Sequence, residues 1–101
     1  LNVIGIVNIN SNVPDNYSLG QNYPNPFNPQ TKIKFSVKQT SFAELKIFDI
    51  LGREVKILVN ENLKAGEYEV SFNALSLPSG VYFYRLTAAD FTQTKKMVLI
   101  K

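Results

Sequence analysis

Apolar and polar residues alternate with a period of two from Thr31 almost to the last residue of the chain. This is the period of a β-strand with one buried face, and no segment of the sequence has the sustained 3.6-residue period of an amphipathic helix. The alternating runs recur about every ten residues with turn-forming residues between them, as in all-β sandwiches. The pattern predicts an all-β fold: an immunoglobulin-like antiparallel β-sandwich of about seven strands.

The strongest strand predictions cover residues 31–37, 42–50, 54–60, 67–72, 81–87 and 91–100. In the third of these, Val55, Ile57 and Val59 are expected on the buried face. Residues 61–66 are expected to form a polar turn that ends in glycine. The run 81–87 is apolar on both faces, which predicts a central strand covered on both sides.

Residues 13–31, called the entry strap here, carry four of the five prolines and a single charge, Asp15. Proline fixes its own φ and pushes the preceding residue toward extended geometry, so the strap is predicted to be stiff and extended. Its side chains expected to pin it to a core are Tyr17, Leu19, Tyr23 and Phe27. Residues 1–13 are interpreted as a linker or the end of a preceding domain, with an edge strand in 1–12 as the alternative. Residues 14–101 are interpreted as the domain.

The composition excludes several functional classes. The 101 residues are 45% hydrophobic and 19% charged, which fits one globular domain. Without cysteine or histidine, there can be no disulfide, no zinc–thiolate site and no histidine base. The net charge is only +3 and arginine occurs only at positions 53 and 85, too sparse for a nucleic-acid-binding patch. We therefore expect no enzyme, no cofactor, no metal ion and no nucleic-acid partner.

Several residue groups could carry chemistry, but each has a simpler structural interpretation. Glu67 and Glu69 lie about 6.5–7 Å apart on one strand face, near the spacing of glycosidase carboxylates, yet the alternation turns both toward solvent. Asp49 lacks the density of oxygen ligands that a calcium loop needs. It is expected to form a turn in which Gly52 takes a positive φ. The serines have no histidine to activate them.

The aromatic residues could form a sugar-stacking platform, but most of them fall on predicted core faces. Phe48 and Phe83 are the best candidates for an apolar outer face. If both are exposed together, they mark an interaction patch.

The terminal motif is basic, then apolar, and comprises Lys95, Lys96, Met97, Val98, Leu99, Ile100 and Lys101. One interpretation is an edge strand whose lysines protect against aggregation. The other is a recognition element for a partner that captures a terminal strand or carboxylate. The residues alone favour edge protection and leave recognition open. Because the chain begins with Leu1, we also expect it to be a piece of a longer protein.

Five segments along the chain resemble a known family when they are taken in order. They are Gln21–Pro29 (Gln-Asn-Tyr-Pro-Asn-Pro-Phe-Asn-Pro), Leu45–Val55, Ala65–Val70, Leu77–Leu86 and the terminal motif. Together they resemble the type A C-terminal sorting domain of type IX secretion, which is found in Bacteroidetes and related Gram-negative bacteria. The shape of that domain is similar to the immunoglobulin-like part of flagellar hook-capping proteins. The residues assigned to its structural motif are Tyr23, Pro24, Asn25, Pro26, Gly52, Gly66, Tyr68, Gly80 and Tyr82.

The resemblance implies that the domain is a non-catalytic sorting signal. The domain would direct a cargo, N-terminal to residue 1, from the periplasm through the type IX outer-membrane translocon to the cell surface or the medium. A shuttle protein and a sortase-like peptidase would then remove the domain, with cleavage near residues 1–13, and anchor or release the cargo. The terminal motif would be the part recognised. The alternatives are an accessory carbohydrate- or protein-binding module, or a structural spacer of a secreted enzyme.

Overall fold

A computed structural model describes residues 6–101, and every regular element in that part of the chain is a β-strand. The strands are β1 (Ile6–Asn10), β2 (Ser18–Leu19), β3 (Gln30–Val37), β4 (Ser41–Phe48), β5 (Glu54–Leu63), β6 (Gly66–Asn73), β7 (Gly80–Ala88) and β8 (Phe91–Leu99). Within residues 6–101, accordingly, no helix of membrane-spanning length and hydrophobicity is present.

The strands form two antiparallel sheets of four strands each, in the orders β1-β6-β3-β2 and β5-β4-β7-β8. The connections from β3 to β4, from β5 to β6 and from β6 to β7 cross between the sheets. This is the Greek-key connectivity of immunoglobulin-type sandwiches. The predicted all-β sandwich is confirmed, and its strands beyond the six strongest predictions are β1 and the two-residue β2.

The core lies between the sheets, where alternate side chains of the two inner faces meet. From β3 it receives Thr31, Ile33, Phe35 and Val37, and from β7 it receives Tyr82, Tyr84, Leu86 and Ala88. Within the first sheet, Phe35 and Tyr68 stack with their ring centroids 5.5 Å apart. Each fully buried large apolar side chain contributes roughly 1.5–3 kcal/mol, so the alternation fixes which face of each strand turns inward.

The prediction for β5 is wrong in two respects. The strand continues to Leu63 and not to Asn60, which confines the turn to the two residues before β6. Register shifts in the β4–β5 ladder also break the alternation, so that Ile57 is 45% exposed while Leu58 and Val59 are both buried. A bulge places an extra residue in one strand and reverses the side-chain direction beyond it.

The central position predicted for β7 is confirmed, because it lies between β4 and β8. The predicted coverage on both sides is wrong: the residues on the outer face, Val81, Phe83, Arg85 and Thr87, are only half-buried. Only one face of β7 packs against the other sheet. The outer face is partly covered by neighbours within its own sheet, such as Phe48 beside Phe83.

Residues 6–10 form an edge strand, the alternative considered for this segment, since β1 pairs antiparallel with β6. Residues 1–5 lie outside the described residues. The start of β6 approaches β1 closely at Gly66, whose φ is +157°. A Cβ atom there would lie 2.8 Å from Asn10 O and 2.9 Å from Asn8 Nδ2.

Replacing Gly66 with alanine is therefore expected to displace β1 and to lower the free energy of unfolding by about 1–2 kcal/mol, from the unfavourable φ and the collision. Hydrogen exchange of the β1 amides is the measurement, together with chemical denaturation. The matched control is Gly52→Ala: Gly52 has a φ of +83° but nothing within 4 Å of an added Cβ. If both variants left β1 equally protected, the close approach would have no role.

Candidate functional site

The terminal motif occupies the second half of β8 and the two residues after it. β8 is an edge strand with β7 as its only neighbour in the sheet order. Met97 and Leu99 are buried, Lys95 and Val98 are half-buried, and Lys96, Ile100 and Lys101 are exposed. The motif is thus divided between residues that build the core and residues that a partner could reach.

The entry strap crosses from the first sheet to the outer edge of β8 and pairs with it. The Phe27 backbone N–H donates to Val98 O at 2.9 Å, and the Ile100 N–H donates to Phe27 O at 3.0 Å. These two bonds make a short parallel bridge. Unpaired groups at a sheet edge are a template for another chain, and here the strap occupies them.

Two amide side chains of the strap extend this contact. Gln21 Nε2 donates to Lys96 O at 2.8 Å, and the Val98 N–H donates to Asn25 Oδ1 at 3.0 Å. Together with the Phe27 bridge, they satisfy the outer edge of β8 from the Lys96 carbonyl to the Ile100 N–H. We call this set of contacts the clasp.

A buried tyrosine of β7 holds the strap in turn. Tyr84 is 0% exposed, and its hydroxyl accepts a hydrogen bond from Asn22 N–H at 2.8 Å and donates one to Gly20 O at 2.7 Å. Burial raises the pKa of Tyr84 to about 12, against a smaller lowering by the Asn22 backbone hydrogen bond. The hydroxyl therefore stays protonated and can make both bonds throughout the physiological pH range.

Asn22 is only 2% exposed, and its side chain organises the bend that begins at Pro24. Its Nδ2 donates to Pro24 O at 3.1 Å and to Thr31 Oγ1 at 3.0 Å. Thr31 Oγ1 donates to Pro24 O at 2.9 Å as well. Buried polar groups are tolerated when they are hydrogen-bonded, and this network fixes the path of the strap toward β8.

The pinning residues predicted for the strap are partly correct. Leu19 and Phe27 are buried, and the Phe27 ring packs on Phe72 with 6.1 Å between centroids. Tyr17 is half-buried and stacks on Phe91 at 5.8 Å. Tyr23 is 81% exposed, so its side chain does not pin the strap; its backbone N–H and C=O instead exchange hydrogen bonds with Lys32.

Two tyrosines of the predicted structural motif anchor the loops before their strands. Tyr68 OH donates to Lys64 O at 2.7 Å, and Tyr82 OH donates to Pro78 O at 2.6 Å. Both bonds reach four residues back, as in the tyrosine corner of immunoglobulin-like domains. Tyr82 also pairs directly with Met97 of the terminal motif, whereas Tyr68 lies in the other sheet.

The end of the chain reaches one end of the sandwich, at the loop between β6 and β7. The Lys101 N–H donates to Ser79 Oγ at 3.0 Å, and Lys101 Nζ donates to Leu75 O. A groove of about 390 Å³ lies nearby between the 49–53 turn and residues 77–82, and its lining is mostly apolar. Gly80 and Tyr82 line this groove.

The Asp49 turn at the rim of the groove is confirmed, with Gly52 at a positive φ. Asp49 Oδ1 accepts hydrogen bonds from the Arg53 and Leu51 backbone N–H groups, both at 2.9 Å. The bond from the Arg53 N–H is the largest cause of a lowered Asp49 pKa, opposed by desolvation and assisted by the Arg53 side chain. This carboxylate therefore organises the turn through its backbone hydrogen bonds.

The other pairs of residues that could carry chemistry lie on the outer faces of the two sheets. Glu67 and Glu69 both point outward, and Glu69 Oε1 lies 3.8 Å from Lys32 Nζ. Within residues 6–101, no three acidic residues are grouped so that they could hold a metal ion. Phe48 and Phe83 are cross-strand neighbours on the outer face, and both are half-buried.

The sequence did not predict that Gln21, Asn22 and Tyr84 together hold the strap against β8. Tyr23, Pro24, Asn25 and Pro26 were assigned to the structural motif, but only Asn25 among them bonds β8 directly through its side chain. The available signal was the presence of two amides in a proline-rich segment with almost no charge. Such amides must find partners when the segment packs on a core.

The described residues define a β-sandwich domain whose last strand is clasped by a proline-rich strap. A family model described as secretion system C-terminal sorting domain matches residues 21–101. The chain belongs to this family, which comprises sorting signals and not catalytic domains. The match begins at Gln21, the first clasp residue, and ends with the terminal motif. The resemblance to type IX sorting domains is confirmed at the level of the family.

Among solved structures, one similar chain is PorZ, described as an essential bacterial surface component of the type-IX secretion system of Porphyromonas gingivalis. The TM-score is 0.56, the identity is 21%, and the similarity covers 86% of this chain and 12% of PorZ. This chain therefore spans only a small part of the length of PorZ, and the likeness shows the fold alone. No curated protein matches the chain.

Proposed function

We propose that this domain is a sorting signal that directs a cargo protein across the outer membrane by the type IX system. The observation that supports the proposal is the clasp: the strap from Gln21 onward and the terminal motif both lie within the residues matched by the family model, and they are bonded to each other. The cargo would precede residue 1, and it would pass the periplasm before it reaches the cell surface or the medium.

The recognised form is the folded domain and not a free peptide. Met97 and Leu99 are buried in the core, and the strap occupies the outer backbone edge from the Lys96 carbonyl to the Ile100 N–H. The side chains of the terminal motif that are most open to a partner are therefore those of Lys96, Ile100 and Lys101. These three form the recognition surface in our proposal, with the outer-membrane translocon as the partner.

For the steps after export, the proposal adopts what the resemblance to type IX sorting domains implies. A shuttle protein and a sortase-like peptidase would remove the domain near residues 1–13 and anchor the cargo or release it. The domain boundary after residue 13 remains a prediction. β1 is bonded into the first sheet, so a peptidase that cuts within it must first open that pairing.

A matched pair of triple variants tests the recognition surface. The chain is fused behind an exported reporter in a host with the type IX system, and surface reporter is measured. Replacing Lys96, Ile100 and Lys101 with glutamine is expected to reduce surface delivery by about tenfold or more, because each lost contact weakens the complex. The control replaces Lys32, Lys34 and Ile9, which are also exposed, and should deliver normally.

Thermal melting of both variants checks that they remain folded, since all six side chains are exposed and surface substitutions change stability by about 0.5 kcal/mol or less. Equal delivery by the two folded variants would exclude the terminal side chains as the recognised surface. Delivery unchanged after removal of the whole chain from the fusion would exclude the sorting role itself.

An accessory carbohydrate-binding role has little support in the described residues. Sugar stacking needs exposed aromatic rings that lie together. The large exposed aromatic side chains within residues 6–101 are Tyr23 and Phe42. Tyr23 lies in the strap over the first sheet, while Phe42 lies in β4 of the second.

A further inference from the structure

The outer face of the second sheet carries a cluster of charged and aromatic side chains that make no contact in the clasp, which among these residues bonds only the backbone of Lys96. It consists of Lys46 and Phe48 on β4, Glu54 on β5, Phe83 and Arg85 on β7, and Lys96 on β8, and we call it the Arg85 face. The strand register places Lys96, Phe83, Phe48 and Glu54 in one row across the sheet. Lys46 and Arg85 are paired in the next row.

Arg85 is the centre of this face because its guanidinium is held in place without an acidic partner. The guanidinium carbon lies 4.5 Å from the centroid of the Phe48 ring, so the ring supports the side chain. The Arg85 residue is half-buried. Within residues 6–101 its guanidinium forms no ion pair, and no side-chain hydrogen bond from it is present.

The charges around Arg85 leave the face with excess positive charge. Lys46 Nζ is engaged with Glu54 at 3.4 Å, while Lys96, diagonal to Arg85 across the β7–β8 ladder, is exposed. Glu44 lies one row further along β4, opposite Thr87, and forms no ion pair among the described residues. A guanidinium supported on a ring presents a planar fork of donors that matches a carboxylate with two parallel bonds.

We propose that the Arg85 face docks an acidic protein surface, with a partner carboxylate paired to the Arg85 guanidinium and apolar partner side chains against Phe83. Charge complementarity carries the choice of an anionic partner. A protein is favoured over an anionic polysaccharide because Arg85 lies over the Phe48 ring and Phe83 is half-buried beside it, so neither ring has an open face on which a sugar would stack. The proposal does not depend on the sorting role, since it concerns direct binding by the purified chain.

The test is a nuclear magnetic resonance titration of the full 101-residue chain with two probes of similar charge. One probe is an acetylated Glu-Leu-Glu-Leu-Glu peptide and the other is an oligogalacturonate. We expect the peptide to shift the Arg85 side-chain N–H signal and the backbone amides of Phe83, Thr94 and Lys96. Binding is expected to weaken with added salt, as for exposed charges.

Arg85→Gln is expected to weaken peptide binding at least about tenfold, the loss of a charge-assisted pair. Arg85→Lys, which keeps the charge but not the fork, is expected to weaken it as well. The matched control is Lys34→Gln, which removes one positive charge from the outer face of the other sheet and should change binding less than about twofold. If Arg85→Gln does not fold, Arg85→Lys decides the comparison.

Three results would overturn the proposal. One is no binding of the peptide, or shifts that map away from the Arg85 face. Another is an equal loss in Lys34→Gln and Arg85→Gln, which would indicate attraction by net charge alone. The third is tighter binding of oligogalacturonate than of the peptide at the same residues, which would assign the face to a carbohydrate.

Discussion

The Tyr84→Phe variant will unfold more easily than the natural chain, by about 1–3 kcal/mol, the cost of leaving a buried polar group unpaired. Phenylalanine fills the same space in the core, so the change removes only the hydroxyl. That hydroxyl accepts from Asn22 N–H and donates to Gly20 O. Without it, these two backbone groups of the strap have lost their partner, and the clasp on β8 loosens.

Chemical denaturation gives the stability change, and hydrogen exchange at the Phe27 and Ile100 amides reports the clasp directly, because both are bonded across the strap and β8. Tyr23→Phe is the matched control, since Tyr23 is 81% exposed and its hydroxyl makes no hydrogen bond among the described residues. Faster exchange in both variants, or in neither, would contradict the anchoring role of Tyr84.

The same substitution changes the response to alkaline pH. The pKa of Tyr84 is raised to about 12 in the folded chain, first by burial, so the unfolded chain loses this proton at a lower pH than the folded one. Stability is therefore complete below the ordinary tyrosine pKa of about 10 and falls as the pH rises through the folded value. In Tyr84→Phe this part of the alkaline loss is absent, as denaturation across that pH range would show.

Phe27→Ala is expected to have the largest effect on stability, a loss of about 3–5 kcal/mol, typical of truncating a buried phenylalanine. Phe27 is only 2% exposed and packs on Phe72 in the core. A domain of this size has a free energy of unfolding of roughly 5–15 kcal/mol, so the variant keeps only part of that free energy. Its backbone also forms the bridge to Val98 and Ile100, which connects this loss to the terminal strand.

Thermal melting and chemical denaturation measure the effect, with Phe42→Ala as the matched control. Phe42 is 49% exposed in β4, and its truncation should cost less than about 1 kcal/mol. In surface-delivery assays, we expect Phe27→Ala to fail in proportion to its unfolded fraction and to recover at lower temperature. An unchanged free energy of unfolding in Phe27→Ala would mean that the strap is not part of the core.

The alternation of apolar and polar residues was sufficient to predict the six strands from β3 to β8 and the sandwich class. It failed where pairing with another strand overrides the local period. The bulge that turns Ile57 outward is one case. The outer face of β7 is another, because apolar residues there are partly covered by same-sheet neighbours and not by a second layer.

For the candidate site, too, the sequence predicted some features and could not predict others. The prolines predicted an extended strap, and the motif order predicted that the strap and the terminal residues belong to one family. Neither could place Gln21 and Asn25 on the edge of β8, because these contacts join residues more than 70 positions apart. Non-local pairing of this kind leaves no periodic signal in the sequence.

By itself, then, the sequence determined the all-β class, the inward-facing residues of most strands and the family. Only the tertiary structure decided which terminal side chains are accessible: Met97 and Leu99 build the core, while Lys96, Ile100 and Lys101 face outward. The physical reason is that local patterning sets the faces of a strand, but its edges are satisfied by whatever segment the fold brings alongside. Here that segment is the strap, held in place by the buried hydroxyl of Tyr84.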